Sequence, residues 1–299
     1  MRAEHIGLKL RYGADLALLA AAGAPFTQLT VDEHTADYIL ASEQFRHGAL
    51  MTWLHRLMRG FWSDFDINGM LGTYPMHVLS TPQWRTLLNS ADAPCAALLS
   101  DPASAHLLDI GAGRGDATGE LAPLFAEVTV SETSEPMARR LRKQGYVCLN
   151  EDISQRTDLL SQFDAVSLLN VLDRCDRPMS LLATARQAVK PGGIVLIALV
   201  LPYKPFVYDR GHPRAPTERL AITSSIFEVA ATELVTNCLL PLGLQPLTLS
   251  RTPYLSGGDA HCPLYELDDL LVICQVKGEL SLLGEKTEAE GLYSAKRPR

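Results

Sequence analysis
An apolar run, FDAVSLL, leads to Asn170 and is followed closely by Asp173, Arg174 and Asp176 in the segment FDAVSLLNVLDRCDRP (residues 163–178). An amide and a carboxylate three positions apart, at the end of a buried strand, are suited to handling an imidazole. Neutral imidazole has one N–H and one lone-pair nitrogen, and a carboxylate that accepts the N–H decides which nitrogen attacks. The same carboxylate stabilises the positive charge that develops on the ring. Methyl transfer from a sulfonium asks for little more than an unprotonated nucleophile held in line with the carbon. Residue types alone leave a second reading open, in which Asp173, Arg174 and Asp176 form an ion-pair loop at the surface.

A second set of residues surrounds a glycine turn, LLDIGAGRGD (107–116), with Gly111, Gly113 and Gly115 at the end of an apolar run. Glycines at such a strand end let the backbone approach a ligand closely. Their spacing is G-x-G-x-G rather than the dinucleotide G-x-G-x-x-G. Asp109 stands two residues before the first glycine, where it would repel an anionic pyrophosphate but favour a sulfonium and an ammonium. The turn therefore points to S-adenosyl-L-methionine, with S-adenosyl-L-homocysteine as product. Glu132 ends the next strand, where a carboxylate would accept from both ribose hydroxyls. The alternative is a solvated Glu132 beside a helix capped by Thr133 or Ser134. Asn150 and Glu151 end the strand after that, as adenine contacts or as a plain polar turn.

Such residues need a scaffold that gathers strand ends, and the sequence from residue 105 supplies one. AHLLDIGA, EVTVSE, YVCLN, FDAVSLL and IVLIALV read as short buried strands separated by helical stretches such as SEPMARRLRKQG and PMSLLATARQAVKPGG. This alternation predicts a Rossmann-like, mostly parallel α/β sheet. LQPLTLSRTPY and LYELDDLLVICQVK follow without a helix between them, predicting an antiparallel pair and one antiparallel edge strand. Residues 1–100 read as an N-terminal helical extension, 101–276 as the cofactor-binding domain, and 277–299 as a polar tail. Trp53, Phe61 and Trp62 in the extension are expected to pack rather than bind.

Composition narrows the function classes. The formal charge of -7 argues against a nucleic-acid partner, which needs a basic face. The six cysteines are scattered without a C-x-x-C pair, which predicts reduced thiols rather than a disulfide frame. The adjacent His261 and Cys262 lack partners at metal-ligand spacing, so no metal is expected. No run is long enough for a transmembrane segment, and ADLALLAAAGAPF (14–26) is read as a helix in preference to a leader.

The runs LLDIGAGRGDATGELAPLF, SETSEPM, FDAVSLLNVLDRCDRPMSLL and ALVLPYKPFVY carry a resemblance to a known family, as do DINGMLG upstream and RTPYLSGGD and LYELDDLLV downstream. Over roughly residues 30–276 the chain resembles the DREV, or methyltransferase-like protein 9, family. The resemblance implies a class I S-adenosylmethionine-dependent enzyme that methylates protein histidine on the π (N1) nitrogen, in small-His-x-His segments. Carried over by position, it assigns Asp109, Gly111 and Glu132 to the cofactor, and Asn170 and Asp173 to the target ring. It also places Tyr254 and Tyr265 near that ring, although the residues alone would be read as interior or edge-strand tyrosines. Gly113, Asn150, Glu151 and Asn170 complete the expected cofactor set. Arg114 stands where the family usually has an acid, Leu264 where relatives can have a tyrosine, and Tyr208 where an acid is usual. The expected partners are histidine-containing proteins or peptides. The expected location is intracellular, in the cytoplasm, with endoplasmic-reticulum association implied by the family. Two rivals are a methyltransferase of the same fold acting on a small molecule or another side chain, and a cofactor-binding scaffold without turnover. None of the chain's own histidines is spaced His-x-His, so it is not expected to be its own substrate.

Overall fold
The computed structural model describes residues 10–44, 75–91, 95, 98, 101, 104–209, 212–257 and 264–277. The DINGMLG segment, Trp53, Phe61, Trp62, His261, Cys262 and residues 278–299 lie outside the described residues.

The apolar runs form strands β1 (Met76–His77), β2 (His106–Ile110), β3 (Glu127–Ser131), β4 (Val147–Leu149), β5 (Phe163–Leu169) and β6 (Val189–Val200). They continue with β7 (Val207–Asp209), β8 (His212–Arg214), β9 (Leu244–Gly257) and β10 (Leu264–Val276). Eight of them make one sheet in the order β1-β9-β10-β6-β5-β2-β3-β4, while β7 and β8 form a separate hairpin. Strands β4, β3, β2, β5 and β6 are parallel. Helices Asp116–Leu121, Glu135–Lys143 and Pro178–Ala188 lie in their crossovers, so this is the expected Rossmann-like sheet. The strand order reverses at β2, which pairs with β3 on one side and β5 on the other. Ligands of open α/β sheets bind at the carboxyl ends of strands beside such a switch point.

The antiparallel pair lies at one end of the sheet as expected, but β10, which runs against β6, stands two places in from the edge. β10 is inserted between β6 and β9, and β1 closes that end of the sheet. The cause is the apolar run Leu270–Cys274, buried throughout, which requires a neighbouring strand on each side. Because β10 runs against β6, its first half reaches the end where the parallel strands finish. Asp269 is opposite Val200, the last residue of β6.

Each central strand is apolar on both faces, and alternate residues divide between two cores. Leu108, Val166, Leu168, Ile197 and Leu199 pack with helices Pro178–Ala188 and Phe227–Leu234. Leu107, Ala165, Leu196, Ala198 and Ile273 pack with Leu29, Leu79, Trp84 and Leu87. The described N-terminal residues thus share a core with the sheet. Phe26 bridges to Leu249 of β9, and β1 lies within the stretch expected to be helices and loops. Its two residues are drawn into strand geometry by pairing with Leu255 and Ser256 at the far end of β9. In 14–26, the helix Leu16–Leu19 is capped by Asp15, whose carboxylate accepts from the Ala17 amide at 2.9 Å.

A buried polar network pins this layer. Ser80 caps helix Thr81–Asn89 in a reciprocal arrangement with Gln83, and its hydroxyl also donates to Asp32. Asp32 accepts from the Thr35 amide at 2.9 Å, and Thr35 reaches His77 Nε2 at 3.0 Å. Ser80→Ala removes the cap and the bond to Asp32 together. It is expected to lower the unfolding free energy by about 1–2 kcal/mol, read as a lower urea midpoint at unchanged slope.

Candidate active site
The glycine turn is shaped by backbone conformation and by one carboxylate. Gly111 and Gly113 have φ of 72° and 56°, the left-handed region that favours glycine. A Cβ on Gly111 would meet Val171 Cγ2 at 2.6 Å, so the turn lies hard against the residue after Asn170. A Cβ on Gly113 would meet nothing within 4 Å, so its open side is where a ligand can approach the backbone. Glu132 Oε2 accepts from the Gly113 amide at 2.9 Å, and Oε1 accepts from the Ser134 amide at 2.8 Å. Glu132 is therefore a buried brace between the turn and the next helix, rather than a solvated residue beside a cap. Burial raises its pKa, opposed by the amides of Ser134 and Gly113. Each carboxylate oxygen has two lone pairs, so capacity for ligand hydroxyls remains.

Asp109 lies beneath the turn and is 1% exposed. Its oxygens accept from Ser167 Oγ at 2.6 Å and Thr118 Oγ1 at 2.5 Å. Burial pushes its carboxyl up to about 6, while the two hydroxyls pull it down and Glu132 adds to the rise. Asp109 thus acts on a ligand through its field. Arg114, where the family usually has an acid, is offset by Asp116 Oδ2 at 3.0 Å.

The end of β5 holds the second half of the site. Asn170 has φ of 57°, a conformation that asparagine tolerates better than most residues. Its amide Nδ2 donates to Asp269 Oδ2 at 2.8 Å, while its Oδ1 is buried without a partner among the described residues. Asp173 is 3% exposed; Arg174 donates to its Oδ2, and its Oδ1 has no hydrogen-bond partner among the described residues. Burial pushes the Asp173 carboxyl up to about 6, with Arg174 opposing. The two readings of this loop therefore divide by residue. Asp173 points inward, whereas Asp176 makes the exposed ion pair, with Arg214 at 2.7 Å. The Arg174 guanidinium lies 4.2 Å from the Phe206 ring centroid, and Phe206 meets Tyr208 edge-to-face.

The other expected residues fall unevenly. Tyr254 is buried and donates from its hydroxyl to Met76 Sδ at 2.7 Å. Burial raises its pKa, with Asp269 and Asp173 adding to the rise, so the phenol shares one electrostatic environment with both carboxylates. Tyr265 is on the same sheet face, opposite Ser256, but is 42% exposed and stands at the rim. Asn150 donates to the Glu132 carbonyl at 2.8 Å, tying the ends of β3 and β4 together. Glu151, expected beside the cofactor, is exposed and paired with Arg156 at 2.6 Å, a cation placed by the loop that follows.

Asp269 is the residue that sequence reasoning misses. It is fully buried, and its Oδ1 lacks a partner among the described residues. Burial raises its pKa well above the usual range, opposed by the Asn170 amide. The available signal is the pair Asp268-Asp269 inside an apolar strand. Neighbours in a strand face opposite ways, so both faces receive a carboxylate. Asp268 meets Arg251, while Asp269 turns to the site.

These residues can be tested against a ligand. Asp109, Glu132, Asp173 and Asp269 put four buried carboxylates at one end of the sheet, a donor set that fits a cation and opposes a pyrophosphate. The open face at Gly113 and the unpartnered Asn170 Oδ1 supply a backbone approach and an acceptor. The model of the DREV methyltransferase family matches residues 11–276. The chain belongs to the DREV methyltransferase family. DREV membership makes it a class I methyltransferase with S-adenosylmethionine as its cofactor. Among solved structures, similarity extends to the N-methyltransferase NodS from Bradyrhizobium japonicum WM9 in complex with S-adenosyl-L-homocysteine (18% identity, 66% of this chain, 87% of that chain, TM-score 0.41). It also extends to the Burkholderia thailandensis 1,6-didemethyltoxoflavin-N1-methyltransferase (16% identity, 85% and 95% covered, TM-score 0.43). No described helix of this DREV chain is long and apolar enough to cross a membrane.

Two alanine substitutions separate close approach from general glycine content. Gly111→Ala forces a side chain into Val171 at a left-handed position, and should weaken S-adenosylhomocysteine binding by about tenfold or more in calorimetry. Gly119→Ala, in a helix with nothing within 4 Å of the added methyl, should leave affinity unchanged and raise stability by about 0.5–1 kcal/mol.

Proposed function
We propose that this DREV methyltransferase modifies histidine in alternating His-x-His segments of proteins, at the π nitrogen. The observation that carries the proposal is the buried Asp173 carboxylate, with Oδ1 unpartnered among the described residues and Asn170 at the adjoining strand end. Bound S-adenosylmethionine supplies an electrophilic methyl carbon on a sulfonium. Neutral imidazole already carries a lone pair, so no strong general base is needed to create the nucleophile.

Asp173 accepts the τ N–H of the ring through Oδ1, and this leaves the π nitrogen unprotonated and turned toward the methyl donor. Arg174 holds the other oxygen of Asp173 and so fixes the direction of the carboxylate. As positive charge grows on the ring, the Asp173 carboxylate stabilises it in a poorly solvated site. A carboxyl with a pKa of about 6 can then take the τ proton and release it to water. Tyr254 supplies a buried phenol against which a ring can pack, and Phe206 and Tyr208 offer an aromatic rim for the peptide around it.

Asp173→Asn keeps the size of the side chain but removes the charge. It should reduce methyl transfer to an Ala-His-Ala-His peptide by about 100-fold or more, with S-adenosylhomocysteine affinity little changed. Replacing either peptide histidine by alanine should abolish transfer. Full activity in Asp173→Asn, or transfer that ignores the alternating histidines, would contradict the proposal.

The pH dependence has a fixed sign. Asp173 works ionised, so protonation through about 6 lowers the rate. The acceptor imidazole works neutral, so its protonation near about 6.5 lowers the rate as well. Initial rates at low peptide concentration should therefore fall with increasing steepness below about pH 6.5, and level off above it.

A further inference from the structure
We propose that Asp269 is a positioning residue that sets the orientation of the Asn170 amide, so that an oxygen and not an NH2 group faces the reaction site. The proposal deepens the function proposed above and rests on it where peptide turnover is concerned.

Burial raises the pKa of Asp269 well above the usual range, and a cation at the site favours its ionised form, which accepts hydrogen bonds and donates none. Asp269 Oδ2 therefore binds the Nδ2 end of Asn170, as seen at 2.8 Å, and the Oδ1 end has to point the other way. That oxygen is the buried, unpartnered one. The backbone of Asn170 is held independently, by its amide donating to the Ala198 carbonyl at 3.0 Å, so the side-chain amide is the part left for Asp269 to fix.

Asp269 has no evident structural duty that would explain its burial. Its neighbour Asp268 meets the Arg251 guanidinium, with Arg251 Nε to Oδ1 at 2.7 Å. Among the described residues Asp269 has no ion pair; the Asn170 amide donates to Oδ2, the Leu199 backbone amide adds a weaker favourable contact, and Oδ1 makes no hydrogen bond of good geometry. A buried carboxylate in that state costs folding free energy. A cation arriving at the site reverses the penalty, because it favours the ionised form. The residue is thus placed at the expense of stability, in the one position that directs Asn170.

The test compares the wild type with Asp269→Asn. The new amide can pair with Asn170 in either sense, so a hydrogen bond survives but its direction is no longer imposed. Turnover of the histidine peptide is expected to fall by about tenfold or more, with S-adenosylhomocysteine affinity little changed. The melting temperature is expected to stay the same or rise, since a carboxyl that is costly to bury is replaced by a neutral side chain of the same size. In the double variant Asn170→Asp/Asp269→Asn the pair is reversed, an oxygen at 170 again faces the site, and turnover should exceed that of Asp269→Asn. Turnover of Asp269→Asn within about twofold of wild type would overturn the proposal, as would a melting temperature lowered by more than a few degrees. The melting comparison needs no acceptor. If the wild type itself fails to methylate the peptide, the histidine reading fails, while a melting temperature of Asp269→Asn lowered by more than a few degrees would still overturn the positioning role.

Discussion

Four carboxylates, Asp109, Glu132, Asp173 and Asp269, are buried at the carboxyl end of one sheet, and burial of like charges is the constraint that organises the surrounding structure. Each is matched to a different degree. Asp109 is held by two hydroxyls and Glu132 by two backbone amides. Asp173 shares one oxygen with Arg174, and Asp269 takes its side-chain hydrogen bond from the Asn170 amide. Among the described residues Asp173 Oδ1, Asp269 Oδ1 and Asn170 Oδ1 have no hydrogen-bond partner, and these three belong to the half of the site assigned to the acceptor. A cationic ligand relieves the repulsion that the fold alone leaves standing.

The sheet topology makes this gathering possible. Parallel strands bring the glycine turn, Glu132 and Asn170 to one end, as the switch point at β2 requires. They could not supply Asp269, which comes from β10 running in the opposite direction between β6 and β9. Tyr254 enters from β9 beside it, braced by Met76 of β1. The short N-terminal strand therefore supports a residue of the site as well as the edge of the sheet.

Much of this is legible in the sequence, for physical reasons that differ between residues. The alternation of buried strands and helices determines the parallel half of the sheet, because parallel neighbours need a long crossover, helical in every case but the one from β4 to β5. The glycine turn is readable from Asp109 and the G-x-G-x-G spacing, and Asn170 from a polar residue ending an apolar run. The end of β4 just before Glu151 is readable too, but not its ion pair, because Arg156 lies in a loop whose path the pattern does not give. Asp269 escapes notice for a related reason. A strand's alternation shows that Asp268 and Asp269 face opposite ways, but only the pairing of β10 shows which of them meets a cation. Tyr254 and Tyr265 are legible through family resemblance alone, and their different exposure, buried against rim, is a property of the register.

The measurement that bears most directly on the central claim is the identity of the nitrogen that receives the methyl group. Labelled S-adenosylmethionine would be incubated with the protein and an Ala-His-Ala-His peptide, and the hydrolysed product separated against π- and τ-methylhistidine standards. A carboxylate that holds the τ N–H predicts label in π-methylhistidine alone. Label in τ-methylhistidine, or in both isomers, would contradict the role given to Asp173.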